Sequence, residues 1–466
     1  MNFRHAFEPT ILREYDVRGI VGKTLTEADA YALGRGFGSA VADKGGKRVA
    51  VGWDGRLSSP ALAAKVVAGL SDCGLEVLRT GLGPTPQLYF AVRENHLDGG
   101  VMITGSHNPP DYNGFKMMLA KASFWGADIQ AMGKRVGAGK VAEGKGAAAD
   151  LEVKAAYYDR LLRDYPKDAK NLTVVWDAGN GAMGEALVAV TKRLPGRHIL
   201  LNEKIDGTFP AHHPDPTVAK NLVQLQDAVL REKADLGIAF DGDGDRIGVV
   251  DGKARILWGD QLIAVLASEI LARLPGSTII ADVKASQVLF DEIARMGGKP
   301  LMWKTGHSII KTKMVETVAP LAGEMSGHIF FADGWYGFDD AMYAGLRLLK
   351  ILATGTKTLA DFRDAMPAVV NTPELRFPCD DTRKRAVVEE VAARLKSAGA
   401  EFSTIDGVRV NTADGWWLLR ASNTQDVLVA RCEAKGEAGL ARLRADLEGQ
   451  LGKSGIKLPE DAAAGH

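Results

Sequence analysis

Four short segments concentrate the residue types that can do chemistry. Thr104-Gly105-Ser106-His107-Asn108-Pro109 follows the apolar run Gly-Gly-Val-Met-Ile, which places a serine on a tight turn at a strand end. No G-x-S-x-G elbow surrounds it, and the adjacent His107 is poorly placed to act as its base, so a serine hydrolase is disfavoured. A serine without a triad, accompanied by Arg18 and Lys116 in blocks of similar character, suits a residue that carries phosphate. Asp241-Gly242-Asp243-Gly244-Asp245-Arg246 follows Leu-Gly-Ile-Ala-Phe. Three carboxylates in five residues repel one another unless a cation sits among them. The alternating glycines let all three face one ion, and hard oxygen ligands select Mg²⁺ or a similar ion over zinc. An EF-hand is excluded, because its sixth and twelfth positions would be Arg246 and Gly252.

The other two segments suit binding. In Gly323-Glu324-Met325-Ser326-Gly327-His328, a carboxylate and a hydroxyl can grip vicinal sugar hydroxyls and the imidazole can move a proton. Arg420-Ala421-Ser422-Asn423-Thr424 follows Trp-Trp-Leu-Leu and offers an anion nest for a phosphate dianion. Two glycine-rich stretches carry weaker readings. Gly179-Asn180-Gly181-Ala182-Met183-Gly184 fits a dinucleotide fingerprint, with Glu203 roughly 20 residues on, and would make a nicotinamide dehydrogenase. No hydride-transfer site accompanies it, and close helix–strand packing explains its glycines as well. Gly139 to Gly146 nearly matches a P-loop, but Gly146 replaces the needed Ser or Thr and no apolar strand precedes it.

Strands alternating with helices must position these loops. Thr26 and Asp29 resemble a capping box, and Arg48 to Gly52 is a short strand. Ser59-Pro60 reads as an N-cap and N1 proline, with the helix stopping at Gly74. Leu75 to Arg79 and Gly100 to Thr104 are strands around a helix from Thr85-Pro86. The order returns with Leu172 to Asp177, His198 to Asn202 and Leu236 to Phe240, then with Thr278 to Val283, a helix from about Ser286, and Leu301 to Lys304. Such alternation implies βαβ crossovers and mostly parallel sheets. Val136 to Asp150 lacks periodicity and reads as an exposed loop. After Met366-Pro367 the pattern becomes α+β: Glu374 to Phe377, a helix Thr382 to Ser397, then strands Val408 to Asn411, Trp416 to Arg420 and Val427 to Arg431. The fold class is therefore α/β, with three similar domains (1–151, 152–255, 256–367) and a smaller fourth (368–466) around one central cleft.

Length and composition agree. The 466 residues suit three or four domains of roughly 150 residues. Lys plus Arg and Asp plus Glu are both 58, so a globally basic nucleic-acid binder is disfavoured while a local basic pocket stays open. Cys73, Cys379 and Cys432 are too few and too far apart for a disulfide framework or zinc ribbon, and are expected buried in a reducing cytoplasm. The first residues lack an apolar signal core, and Leu262 to Leu274, with Glu269 and Arg273, reads as an amphipathic helix, not a membrane span. The 53 glycines exceed the usual ~7 %, as expected of an enzyme whose loops approach phosphates.

Taken in order, TGSHNP, DGDGDR, GEMSGH and RASNT resemble the motifs of the α-D-phosphohexomutase superfamily, one per domain, as do Tyr15-Asp16-Val17-Arg18-Gly19 and Asn113-Gly114-Phe115-Lys116. The methionine of GEMSGH is similar to the phosphomannomutase/phosphoglucomutase branch, whereas phosphoglucosamine mutases usually carry glutamine there. Gln425-Asp426 departs from the acidic or hydroxyl residue and proline frequent in relatives. The resemblance implies a phosphorylated Ser106. It implies Mg²⁺ held by Asp241, Asp243, Asp245 and a phosphoserine oxygen, and transition-state stabilisation by Arg18, Lys116 and Arg246. It implies a phosphate site at Arg420, Ser422, Asn423 and Thr424, sugar hydroxyls on Glu324 and Ser326, and His328 as general acid/base. Tyr15, His107, Asn108, Lys284 and His307 complete the substrate contacts. The implied reaction interconverts hexose 6- and 1-phosphates through a 1,6-bisphosphate, with glucose 1,6-bisphosphate as activator and hexose phosphates as the partners. A monomer that binds neither nucleic acid nor membrane is expected. The alternatives are a phosphoglucosamine or glucose-only mutase, the nicotinamide dehydrogenase, and a metal-dependent phosphatase.

Overall fold

The capping box is present: Thr26 N donates to Asp29 Oδ2 at 2.8 Å, and the helix runs Glu27–Asp43. Helix Ser59–Ser71 starts one residue earlier than expected, with Ser58 at the cap, because the Ser59 hydroxyl is drawn to Asp54 Oδ1 at 2.6 Å. These elements belong to a computed structural model, which describes residues 3–423 and 425–456. Four sheets organise the chain.

Each of the first three has a parallel core. In the first, Gly99–Ile103, Arg48–Trp53, Glu76–Leu82 and Ala148–Asp150 run parallel. The last of these turns the end of the expected exposed loop into an edge strand, and helix Ala127–Gly137 takes its beginning. In the second, Leu236–Phe240, Leu172–Asp177 and Gly196–Leu201 are parallel, and in the third Lys299–Trp303, Thr278–Asp282 and Leu321–Gly323. The fourth sheet is antiparallel, with Leu375–Pro378 and Gly415–Ala421 beside Val427–Ala434.

Antiparallel strands complete the first three sheets, so the sheets are mixed, and these added strands place the loops. Gly99–Ile103 turns back into Tyr112–Leu119, Leu236–Phe240 into Ile247–Asp251, and Leu321–Gly323 into Ile329–Phe331. In the fourth sheet Gly415–Ala421 turns back into Val427–Ala434. Each of the four motifs is thus the bend between two hydrogen-bonded strands, anchored on both sides.

The cores are unequal. One apolar cluster runs through the first three domains, from Leu88 and Phe90 through Trp176 and Phe240 to Ile279 and Tyr343. Helix Gly259–Arg273 is buried on most faces within it, with Glu269 satisfied by Arg273 and Arg347. The fourth domain has its own core, built from Phe377, Val387, Trp417, Leu428 and Leu447 among others. A small patch of Val283, Trp416 and Leu418 joins it to the rest. The three cysteines are free and buried. Among the described residues no helix is long and apolar enough to cross a membrane.

Candidate active site

The serine bend is held from beneath. Arg56, 1 % exposed, donates from Nη2 to Ser106 O at 2.7 Å and to Asn108 O at 2.6 Å, and its Nε pairs with Asp54. A Cβ on Gly105 would lie 2.3 Å from the Arg56 Nε, so this packing requires glycine. Ser106 adopts φ +49°, a left-handed conformation unusual for serine, which marks a position fixed by its surroundings. Its Oγ donates to Asp241 Oδ2 at 2.8 Å and lies 3.2 Å from His107 Nδ1. His107 therefore reaches the serine although it is adjacent. Burial and then the charge of Arg246 hold its imidazole well below the usual range, so it is neutral.

The aspartate bend docks directly on the serine. A Cβ on Gly242 would lie 2.3 Å from Ser106 O. Asp241, Asp243 and Asp245 are buried, with oxygens within 4.8 Å of one another. Burial and the charges of Asp243 and Asp245 push the Asp241 carboxyl well above the ordinary carboxylate range. Asp243 Oδ1 and Asp245 Oδ1 are buried without a hydrogen-bond partner. Lys116 Nζ stands beside the cluster, 2.7 Å from Asp243 Oδ2 and bonded to Asp245. Burial opposes the lysine's charge, but Asp243 and Asp245 outweigh it and raise its pKa. One ammonium cannot satisfy three buried carboxylates, and the two orphaned oxygens fit a hard divalent cation. Arg18 reaches this region from strand Val17–Ile20, bonded to Asp16 and Asn108.

The glycine-rich decoy supports the same bend. Ala182 N donates to Gly242 O at 2.9 Å, a Cβ on Gly181 would lie 2.9 Å from that oxygen, and one on Gly184 would lie 2.0 Å from Glu203 O. These glycines serve close backbone packing, and Glu203 meets Gly184 through its carbonyl; nothing here assembles a dinucleotide site.

The third bend packs on the second: Ile247 N donates to Gly327 O at 3.0 Å, and Arg246 and His328 face each other as a β-bridge. Arg246 Nε donates to His328 Nε2 at 3.0 Å. Glu324 Oε1 accepts from Gly306 N at 2.7 Å, and burial raises the carboxyl's pKa. His307 opens the helix that precedes this bend, its ring 5.6 Å from that of His328, and burial and then Lys311 keep its pKa well below the usual range. Lys284 Nζ lies 3.3 Å from Glu374 Oε2, and Lys284 in turn draws the Glu374 carboxyl down to about 2.

In the fourth bend Arg420 Nε pairs with Asp406 Oδ2 at 2.9 Å, and Asn423 Nδ2 donates to Tyr15 OH at 2.6 Å. Tyr15 OH in turn donates to Thr305 O at 2.8 Å, so this phenol ties the first, third and fourth domains together. Gln425 N donates to Ser422 Oγ at 3.2 Å, and the Gln425 side chain, at the position that departs from relatives, bonds Arg376. Thr424 lies outside the described residues.

All four bends open on one cleft of about 640 Å³. Its lining brings together Tyr15, Arg18, Ser106, His107, Asn108 and Lys116 from the first domain, with Arg246 from the second. Lys284, His307, Glu324, Ser326 and His328 come from the third, and Arg420, Ser422 and Asn423 from the fourth. The three aspartates lie beneath, reaching the cleft through Ser106 and Lys116. Sequence reasoning missed Arg13, Glu374, Arg376 and Arg431, which also line the cleft, as well as Arg56 and Asp339 behind it. Arg13 falls two residues before the Tyr15 motif and could have been included with it. The others lie outside any motif.

Comparison with known proteins gives the same assembly. Family profiles described as phosphoglucomutase/phosphomannomutase alpha/beta/alpha domains I, II and III match residues 9–132, 155–254 and 258–369, and the C-terminal domain profile matches 374–450. A phosphomannomutase/phosphoglucomutase of Pseudomonas aeruginosa is 44 % identical over 450 residues, 97 % of each chain. A phosphoglucomutase of Neisseria gonorrhoeae is 44 % identical over 438 residues, covering 93 % of this chain and 95 % of its own. Among solved structures, a phosphoglucomutase/phosphomannomutase family protein from Burkholderia thailandensis superimposes with a TM-score of 0.92 at 43 % identity, covering 97 % of this chain and all of that one.

Proposed function

The chain belongs to the phosphoglucomutase/phosphomannomutase family and is a phosphohexomutase, and from that premise we propose that it interconverts the 6- and 1-phosphates of mannose and glucose through a phosphorylated Ser106. The observation that carries this reading is the 2.8 Å contact between Ser106 Oγ and Asp241 at the floor of a cleft shared by all four bends.

Asp241, Asp243, Asp245 and an oxygen on Ser106 are the residues that would hold Mg²⁺, which when bound withdraws charge from a phosphoryl group. The chain's own groups do the rest. A sugar phosphate anchors its phosphate on Arg420, Ser422, Asn423 and Thr424, with Lys284, Tyr15 and His307 alongside, and its 3- and 4-hydroxyls on Glu324 and Ser326. The free hydroxyl then faces the phosphorylated Ser106. The sugar oxygen–phosphorus bond forms as the Ser106 Oγ–phosphorus bond breaks, and the hydroxyl proton passes to His328 Nε2. Arg246 Nε occupies that nitrogen's lone pair, so the guanidinium moves to the phosphoryl oxygens as the hydroxyl arrives. Arg18 and Lys116, with His107 and Asn108, meet the same oxygens. The resulting 1,6-bisphosphate turns over in the cleft and returns its other phosphate to Ser106, so added glucose 1,6-bisphosphate acts as an activator.

A single anion site serves both poses, because either phosphate of the bisphosphate can occupy it. Glucose and mannose differ only at the 2-hydroxyl, and discrimination needs a group that penalises one of them. Gripping only the 3- and 4-positions therefore admits both sugars. The same reading has the enzyme act in the cytoplasm as a monomer of four domains, bounded near 151, 255 and 367. An enzyme-linked assay comparing kcat/KM for mannose 1-phosphate, glucose 1-phosphate and glucosamine 1-phosphate tests it. Comparable values for the first two are expected, and a preference for glucosamine 1-phosphate would replace the reading. Continuous release of free phosphate, without need for bisphosphate, would instead identify a phosphatase.

A further inference from the structure

A buried carboxylate behind the sugar bend has no part in the reading above. Asp339 is fully buried, and the backbone fixes its place. Phe330 and Asp339 face each other as one β-bridge, and Arg246 and His328 as another, so His328 is flanked by both residues from neighbouring segments. The histidine's two nitrogens meet different partners. Arg246 Nε donates to Nε2 at 3.0 Å. A guanidinium N–H can only donate, so Nε2 offers its lone pair and the proton of the neutral ring resides on Nδ1. Nδ1 lies at ion-pair distance from Asp339 Oδ2, 2.9 Å away, and both atoms are buried with no hydrogen-bond partner. The nearest other carboxylate oxygen, Asp245 Oδ1, is farther, at 3.6 Å.

The carboxylate is itself held. Lys311 Nζ, from helix His307–Thr317, contacts Asp339 Oδ1 at 3.1 Å and leaves Oδ2 for the histidine. The ring is confined as well, with Phe330 stacked near it at 6.2 Å and His307 at 5.6 Å. Lysine, carboxylate and imidazole thus form a buried chain that ends at Nε2, which meets Arg246 on the lining of the cleft.

We propose that Asp339 is the positioning carboxylate of His328: it holds the imidazole as the Nδ1–H tautomer, so that Nε2 is the atom that accepts the sugar hydroxyl proton. When Nε2 takes that proton, the imidazolium donates from Nδ1 to Asp339, and the opposite charge beside it stabilises the cation until the proton returns in the second half-reaction. Lys311 acts one step further back by fixing the rotation of the carboxylate.

The proposal rests on His328 as the proton acceptor, and the experiment separates the two. Full-length enzyme labelled with ¹⁵N-histidine is studied by long-range proton–nitrogen NMR above about pH 8, where an ordinary imidazole is neutral. The chain has nine histidines, and the His328 signals are assigned by their loss in His328→Asn. The wild-type spectrum is expected to show the Nδ1–H tautomer; the Nε2–H tautomer would overturn the proposal without any change at Asp339. In Asp339→Asn the tautomers should mix, and kcat should fall roughly 10²-fold, within the range of a positioned acid–base group, while KM changes little. Lys311→Met should lower kcat less. If His328→Asn loses turnover while Asp339→Asn keeps it, the positioning role fails and the proton-acceptor reading stands. If His328→Asn keeps full turnover, that underlying reading fails.

Discussion

The cleft is built from two mechanically different halves. The serine and aspartate bends belong to three domains that share one apolar cluster, beside which the first domain keeps a second core, whereas the domain of the phosphate bend has its own core and meets the rest through a small patch. On the first side the bends touch backbone to backbone, closely enough that only glycine fits at 242. On the second side the fourth domain leans on the body through a few polar contacts and a small apolar patch. Arg409 stacks over Trp416 at 3.7 Å and donates to Val283 O at 2.7 Å, and Arg431 donates to Lys284 O at 2.6 Å. Tyr15 and Asn423 close the far rim. Phosphoryl transfer needs its reacting atoms held to within a fraction of an ångström, and the shared apolar cluster and the backbone contacts between the bends suit that. On the proposed mechanism a bisphosphate must turn over in the cleft, which asks for a wall that can give way, and the separately packed domain is the part of the structure suited to that.

Substitutions on the two sides should therefore fail in different ways. The largest effect belongs to the rigid side. Ser106→Ala removes the proposed phosphate carrier and should lower kcat on the order of 10⁴-fold or more, as loss of a nucleophile does. Sugar phosphate should still bind, which calorimetry can read; unchanged turnover would refute the assignment. On the side of the fourth domain, Arg420→Ala removes a charged group of the proposed anion site and should raise KM by about tenfold or more. Its kcat should fall far less, and steady-state kinetics with an unmoved KM would count against the anion site. The smallest effect should come from Tyr15→Phe, which deletes one rim hydrogen bond to Asn423 and one to Thr305. A KM change of about fivefold corresponds to two such bonds at the weak end of their range, about 0.5 kcal/mol each; a large loss of kcat would show that the rim controls chemistry as well as binding.

This division was only partly legible in the sequence. Strands such as Leu172–Asp177, Leu236–Phe240 and Val408–Asn411 announced themselves as short β-rich runs and lie where expected. Three return strands, Tyr112–Leu119, Ile247–Asp251 and Ile329–Phe331, did not. Tyr112–Leu119 carries Asn113, Gly114 and Lys116, which break the apolar pattern: Asn113 donates to Ser58 and Ser59, Gly114 admits the backbone of Val17, and Lys116 lines the cleft. The motif segments could be marked as ligand sites because each crowds polar residues immediately after an apolar strand. The residues that hold them were invisible for the opposite reason. Arg56 is far from the serine bend in sequence and meets it only through the fold, and Asp339 becomes a neighbour of His328 only through a β-bridge. Charge composition was equally silent: a chain with 58 cationic and 58 anionic side chains still gathers Arg13, Arg18, Lys116, Arg246, Lys284 and Arg420 on one cleft.

The central claim is that residue 106 carries the phosphoryl group opposite the buried aspartates. Incubating the enzyme with ³²P-labelled glucose 1,6-bisphosphate, then mapping the labelled peptide, tests this most directly. The account predicts about one label per chain, on the peptide containing Ser106 and absent from Ser106→Ala. Label on another residue, or full turnover with no label at all, would contradict it.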